Sequence, residues 1–358
     1  MSILLFLHRS SNKLIRIVVR VAHKKSSLFS IVVWNLATTF VLIEIVVFLA
    51  FTFPHALRSF PRALVQPFGE LYHRAAFNLP NMDSRCTRYD PELTYVLRKS
   101  GCAFSSVEFA TSLQGNDLHL RDDNESLSGP SVVFLGDSFT MGFGVESEET
   151  FAQLFQDKSK LKSLNAGMVS YGTARETHLL RRIDLSALRA LVVQYHYNDF
   201  YENKVALDYG KLSIISEARY HARIKAYMKS LRYFPGKYAG SLVVLLINHL
   251  RAFGSQGETH SPEDHARVFL DTLDWGLPEL DGVQLYVLLP SYHPLGNKRF
   301  IKAVGSYAKD PKHRKIVKNL KAIDLSSDLS TEHFFVLDKH LNKDGHALVA
   351  SSLVKIII

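Results

Sequence analysis

The chain has 358 residues, 47% hydrophobic and 22% charged, with a formal net charge of +9. That composition belongs to a folded protein and excludes wholesale disorder. The excess charge is local: Arg9, Lys13, Arg16, Arg20, Lys24 and Lys25 contribute +6 within residues 1–28, which hold no acid, so only +3 remains elsewhere. A basic face for nucleic acid is therefore not expected.

The basic tail runs into an almost unbroken apolar stretch at 29–53. Its length suits a membrane-spanning helix, which takes about 20 residues. A cleaved signal peptide would have a shorter apolar region and a small-residue cleavage site. His55, Leu57, Arg58, Phe60 and Pro61 follow instead, so the stretch reads as an uncleaved anchor in the lipid bilayer. Asn35 and Glu44 are costly there, and the Glu is expected to be protonated or to face a partner helix. Basic residues are denser before the span than after it, where Arg58, Arg62 and Arg74 lie. This orients a single-pass protein of the cell inner membrane with its amino terminus cytoplasmic and its body periplasmic or extracellular. Cys86 and Cys102, the only cysteines, then fall on the side where disulfides persist, and a bridge between them is expected. No Cys-x-x-Cys or His-Glu-x-x-His spacing occurs, so neither a metal nor a cofactor is expected.

Residues 54–80 read as a juxtamembrane connector punctuated by Pro54, Pro61, Pro67 and Pro80, and 81–128 as a small extension in which Tyr89 to Leu97 forms a turn leading into a strand. From 129 to 358 strand and helix patterns alternate, which predicts a parallel sheet covered on both faces. Strands are expected at 131–136, 161–166, 189–196, 283–290 and 333–337. Helices are expected at 149–159, 173–187, 262–276, 297–309 and 344–356. Residues 201–280 are too long for a simple crossover and read as a helical insertion. Within it, Ser241 to Ile247 is apolar but too short to span a bilayer. It is expected to be a buried helix, with a membrane-facing or substrate-gating flap as the alternative.

Chemistry-bearing residues collect at the carboxyl ends of these strands, where open α/β sheets bind ligands. Ser131 to Leu135 is a β-favouring run that stops at Gly136-Asp137-Ser138, a turn that lifts a hydroxyl to the sheet edge. The second strand ends in Asn165-Ala166-Gly167, whose glycine allows close backbone approach. Asn198-Asp199 follows the third and offers an amide to a developing oxyanion. Asp338-Lys339-His340 follows the fifth. Acyl transfer by serine needs a nucleophile, a base, a group that orients the base, and oxyanion donors; all four are present.

In these residues the chain resembles the SGNH or GDSL hydrolase superfamily over about 129–358. Gly136-Asp137-Ser138 is similar to its first block, Gly167 to its second, Asn198-Asp199 to its third, and Asp338 with His340 to its last, in the family's order. The resemblance implies a flavodoxin-like three-layer α/β/α sandwich with a parallel sheet, here preceded by one transmembrane helix. It implies Ser138 as nucleophile, His340 as base, Asp338 as its orienting partner, and an oxyanion hole of the Ser138 and Gly167 N–H groups with the Asn198 amide. The third block usually carries glycine where His196 stands, which makes the wall beside Asn198 bulkier. The last block often spaces its Asp three residues before the His rather than two. The shorter spacing is similar to the branch of membrane-tethered or periplasmic enzymes that add or remove acyl groups on polysaccharides. Asp344-Gly345-His346 repeats the spacing, but His346 opens an apolar helix and is expected to pack or cap.

The expected function is thus a serine esterase or O-acyltransferase outside the cytoplasm, acting on acyl groups of an envelope glycan. A lipid esterase or thioesterase is the rival enzyme, with the apolar part of 201–280 as its lid. A non-catalytic assembly factor retaining the fold is the third reading, and the complete set of serine, histidine, aspartate and asparagine weighs against it.

Overall fold

The computed structural model describes residues 28–254, 260–291 and 294–358; the basic tail lies outside them up to residue 27. Five strands form one parallel sheet: β5 (Val132–Gly136), β6 (Ser163–Gly167), β7 (Ala190–Gln194), β8 (Gln284–Leu288) and β9 (Lys321–Ile323). Their spatial order is β6-β5-β7-β8-β9. Gly136 pairs with Gly167, and Leu135 with Val193, so the first three strands end level with one another.

Every residue of β5, β6 and β7 is buried, as a sheet covered on both faces demands. Alternate side chains of β5 enter different cores. Val132 and Phe134 pack with Phe151 and Phe155 of α4 (Phe151–Ser159) and Val349 and Leu353 of α12 (Lys343–Ile357). Val133 and Leu135 enter a larger core with Phe269 and Leu273 of α9 (Pro262–Gly276) and Phe300 and Val304 of α10 (Pro294–Tyr307). The architecture is therefore helix, parallel sheet, helix.

Four of the five expected strands lie within a few residues of their places. The fifth does not. Residues 333–337 are no strand: a single 3-10 turn covers Thr331–His333, and Phe334 forms an isolated β-bridge to Leu341. The edge position is taken by β9, where Tyr286 of β8 pairs with Lys321. The run Phe334-Phe335-Val336-Leu337 mimics a strand because it must be apolar for another reason. Phe334 joins the core under α4 and α12, and Leu337 joins a separate core beside the amino-terminal helices. The backbone N–H groups of Val336 and Leu337 are donated to the Glu108 carboxylate rather than to a neighbouring strand.

The helix expected at 173–187 is shorter, with α5 (Thr173–Leu179) giving way to one 3-10 turn at Leu180–Arg182. Within 201–280 the described residues carry helices α6 (Asp199–Tyr209), α7 (Glu217–Leu231), α8 (Lys237–Gly254) and α9.

The segment before the sheet has strands of its own. Two antiparallel hairpins, β1 (Thr87–Asp90) with β2 (Thr94–Leu97) and β3 (Cys102–Ser105) with β4 (Ala110–Leu113), follow one another. A Cys86–Cys102 disulfide links the first hairpin to the second. Tyr95, Val96, Leu97, Phe104 and Leu113 share the larger core with the sheet. Arg121 is fully buried behind them. Its guanidinium donates to the carbonyls of Gly142 at 2.6 Å and Val145 at 2.7 Å, and to Thr111 Oγ1 at 3.0 Å. Burial pushes its pKa down to about 10. Five such bonds (Met141 and Ser112 carbonyls supply the others) tie β4 to the loop after Ser138.

The apolar helix α1 (Leu28–Thr52) is almost wholly uncovered, with 6% of its most apolar window buried. It is long enough to cross a membrane. Its carboxyl-terminal half carries its contacts, and there Val47, Ala50 and Phe51 meet Leu71 and Tyr72 of α2 (Arg62–Ala75). The apolar segment 241–247 lies in α8, and it is not the buried helix expected. Val243, Leu246 and Ile247 are exposed: α8 rests by one side on α2 and α1, and none of the described residues covers its other side.

Candidate active site

β5 ends at Gly136, where a Cβ would stand 2.1 Å from Thr140 Oγ1 and 2.4 Å from Gln194 Oε1; only glycine lets the chain turn there. Asp137 then caps the one-turn helix α3 (Ser138–Met141), its Oδ1 accepting the Phe139 N–H at 2.9 Å. Gln194, the last residue of β7, braces the turn by accepting from the Asp137 N–H at 3.1 Å and the Thr140 hydroxyl at 3.0 Å. Ser138 is therefore held by two strand ends. It is more enclosed than a free turn-edge hydroxyl, at 6% exposure.

His340 reaches Ser138 from the far end of the chain. Its Nε2 is 2.7 Å from Ser138 Oγ, and its Nδ1 is in contact with Asp338 Oδ1. With the ring proton on Nδ1, Nε2 is free to accept the serine hydrogen. The spacing of two works because the loop reverses on itself. Lys339 between the two residues takes φ +67°, and the Phe335 N–H donates to the His340 carbonyl at 2.9 Å. The imidazole is seated between Phe139 and Phe143, with ring centroids at 4.8 and 4.4 Å.

Two groups that the motif blocks do not include complete this arrangement. The Tyr72 hydroxyl of α2 donates to the second oxygen of Asp338 at 2.9 Å and lies 2.5 Å from Ser106 Oγ. Burial, reinforced by the Asp338 charge, raises the Tyr72 pKa, so this hydroxyl stays a donor. Glu108 accepts the N–H groups of Val336 at 2.6 Å and of Leu337 and Asp338 at 2.8 Å. Burial pushes its carboxyl up, and the three donated hydrogens oppose that. Together they fix the aspartate before it fixes the histidine. Neither stands near a recognisable motif; only the two residues' shared site in space identifies them.

The remaining expected residues separate. Asn198 precedes α6, its side chain caps no backbone group, and it lines the same cavity as Ser138, Asp338 and His340. Gly167 does not line it. A Cβ on Gly167 would lie 2.2 Å from the Met141 nitrogen, so this glycine is required by close packing of β6 on α3. Its N–H is donated to Asn165 Oδ1 at 3.0 Å. The cavity wall on this side is Val169 and Ser170 instead, and Ser170 has φ +58°. His346 is fully buried, its Nδ1 accepting the Phe151 N–H at 3.1 Å, far from Ser138's oxygen in role and surroundings.

The cavity measures about 330 Å³ and mixes apolar walls (Phe77, Leu79, Phe139, Val169) with His73, His196 and Asn198. The His196 ring stacks on Phe139 at 5.3 Å, so the residue standing in the glycine place does narrow the wall. Burial lowers the His73 pKa, partly offset by the Asp338 charge. Among the described residues no cluster of His, Cys, Asp and Glu suited to a metal ion occurs.

No model of a known protein family matches the chain, and no curated protein matches it. Among solved structures it is similar to a lipolytic protein of the G-D-S-L family from Desulfitobacterium hafniense DCB-2, at 14% identity and TM-score 0.35, over 63% of this chain and 98% of that one. It is similar to TesA at 11% and 0.33, over 63% and 97%. A third likeness is to a carbohydrate esterase family 2 enzyme with a carbohydrate binding domain from Corynascus thermopiles (Myceliophthora fergusii), at 14% and 0.35, over 63% and 64%.

Proposed function

We propose that the chain is a serine-dependent esterase or O-acyltransferase of the SGNH kind, anchored by α1 and acting outside the cytoplasm on short acyl esters of an envelope glycan. Residues 129–358 form the catalytic unit and 54–128 brace it. The observation that carries the reading is the unbroken hydrogen-bonded series from Ser138 Oγ through His340 to Asp338, opening on a cavity that also holds an uncommitted amide, Asn198.

The chemistry follows from that order. Ser138 Oγ attacks the ester carbonyl while His340 Nε2 takes its proton. The oxyanion formed is met by the Asn198 amide and by the N–H groups of Ser138 and Ser170, the latter in place of Gly167. The alcohol departs with the proton from Nε2, leaving an acyl group on Ser138. Water, or a glycan hydroxyl, then attacks the acyl-enzyme with His340 again as base. A cavity of about 330 Å³ sits at the lower end of small-molecule sites, which favours a short acyl group. A lipid esterase or thioesterase is the second reading, favoured by α2, which packs on the membrane helix and supplies Tyr72 to the site.

The test is turnover of acyl-p-nitrophenyl esters of increasing chain length, together with fluorophosphonate labelling. Preference for acetyl and labelling that vanishes in Ser138→Ala support the proposal. Preference for long chains moves the substrate to lipid. Labelling that persists in Ser138→Ala places the nucleophile elsewhere. An oxidation-dependent reporter fused after Ile358 should be active; activity of a cytoplasm-only reporter there would reverse the orientation.

A further inference from the structure

Helix α8 carries two apolar faces, and the fold uses one. Tyr238, Leu242 and Leu245 join the core formed by α1 and α2, and His249 Nε2 lies 3.4 Å from Glu70 Oε2 of α2. Val243, Leu246, Ile247 and Leu250 run down the other side at i, i+3, i+4 and i+7, the spacing of one helix face. They are 53, 56, 41 and 75% exposed. A contiguous apolar stripe left open in this way marks a partner.

The corner leading into α8 identifies the partner. Glu44 of α1 accepts the Tyr233 hydroxyl at 2.9 Å and the Ala239 N–H at 2.8 Å. Glu44 lies eight residues before the end of α1, about 12 Å along the helix. The first turn of α8 is therefore level with residues of the span itself, not with those that follow it. Gly236 comes nearer still to the span's middle: a Cβ there would stand 2.9 Å from the Phe40 ring. The contact also answers what a carboxylate does inside an apolar helix. Ala239 N–H belongs to the first turn of α8, whose donors have no partner in their own helix, and an acidic group there is favoured by the helix dipole. Tyr233 and Phe234, each 58% exposed, stand at this corner beside Lys229 and Arg232.

We propose that the α7–α8 corner and the outward stripe of α8 are set into the membrane leaflet adjoining the catalytic body, beside α1, with phospholipid acyl chains as the occupant. The proposal rests on α1 crossing the bilayer. Its consequence is that α2, packed on α8 and carrying Tyr72, is pinned to the membrane surface, so the cavity at Ser138 meets esters presented there.

The test uses the full chain in nanodiscs of phosphatidylethanolamine and phosphatidylglycerol with brominated acyl chains. The two native cysteines are joined, so bimane can be placed at single positions: Leu246→Cys and Leu250→Cys on α8, Val41→Cys on α1, and Glu125→Cys as a water-facing control. Each variant is checked for folding by fluorophosphonate labelling. Strong quenching of the α8 labels by brominated lipid, with little by aqueous iodide and the reverse at Glu125→Cys, is the expected result. Iodide quenching of the α8 labels with none by lipid overturns the proposal while Val41→Cys remains lipid-quenched. Shielding from both quenchers, with disulfide cross-linking between Leu250→Cys chains, overturns it in favour of a second copy. If Val41→Cys itself escapes lipid quenching, the anchor reading fails, and the α8 labels then decide separately whether that helix binds lipid.

Discussion

The Tyr72 hydroxyl donates to Asp338 Oδ2 at 2.9 Å across 266 residues of sequence. A residue of α2, the helix that follows α1, thus meets the carboxyl that holds His340, and α2 itself packs on the end of α1. The contact should be felt in the rate. A hydrogen bond to a charged group contributes about 1.5–3 kcal/mol, so Tyr72→Phe is expected to lower kcat/KM about tenfold to a hundredfold. KM should change little, and the circular dichroism spectrum should be preserved. Unchanged turnover would mean that Glu108 alone fixes the aspartate.

Asn198 and Gly167 should part company on mutation. Asn198→Ala removes an uncommitted amide and is expected to lower kcat by about a hundredfold to a thousandfold, with the fold intact. Gly167→Ala forces a methyl to 2.2 Å from the Met141 nitrogen and should fail to fold or unfold at much lower temperature. Ser170→Gly keeps the backbone N–H proposed for the oxyanion and should retain near wild-type turnover. Thermal melts beside steady-state rates separate the three; a stable but inactive Gly167→Ala would restore that residue to the oxyanion hole.

The two histidines with the same spacing should fail in different ways. His340→Ala is expected to lower turnover by several orders of magnitude, as loss of a triad member does. His346→Ala should cost mainly stability, about 2 kcal/mol, from the lost bond to Phe151 and the cavity left behind. Burial, with Arg121 and His340 nearby, pushes the His346 pKa down to about 3, against about 6.5 in an unfolded chain. Below that value the unfolded state binds the extra proton. His346's contribution is therefore fully present above about pH 6.5 and declines as pH falls toward 3, by at most about 1.4 kcal/mol per unit. Chemical denaturation of wild type and His346→Gln across pH 7 to about 4 is the check, with the difference between the two showing this slope.

Closing the loop between Cys86 and Cys102, 16 residues apart, should stabilise the fold by about 3 kcal/mol, chiefly by restricting the unfolded chain. Replacing both cysteines by serine should lower the melting temperature while leaving the Ser138–His340 geometry able to react with fluorophosphonate. Two alkylatable thiols in protein taken from its native compartment would remove the basis for this expectation.

Local signals were enough for much of this protein. The apolar stretch ending near residue 53, four parallel strands and their covering helices follow from periodicity and run length, which neighbours in sequence dictate. Ser138, His340 and Asp338 were legible because a tight turn and a two-residue spacing are themselves local. The rest was settled in three dimensions. The run 334–337 and the segment 241–247 are both apolar, and pattern alone assigns such runs to strand and buried helix. Their true surroundings, Glu108 for one and an uncovered face beside α1 for the other, depend on where distant elements pack. Gly167 carried a glycine's freedom without revealing which backbone would approach it; α3 did, and the cavity wall fell to Ser170. Tyr72, Glu108 and Gln194 left no mark in the sequence as site residues. Each works through a hydrogen bond to a group 57 or more positions away, and such a bond exists only once the sheet, the hairpins and α2 are assembled around the same loop.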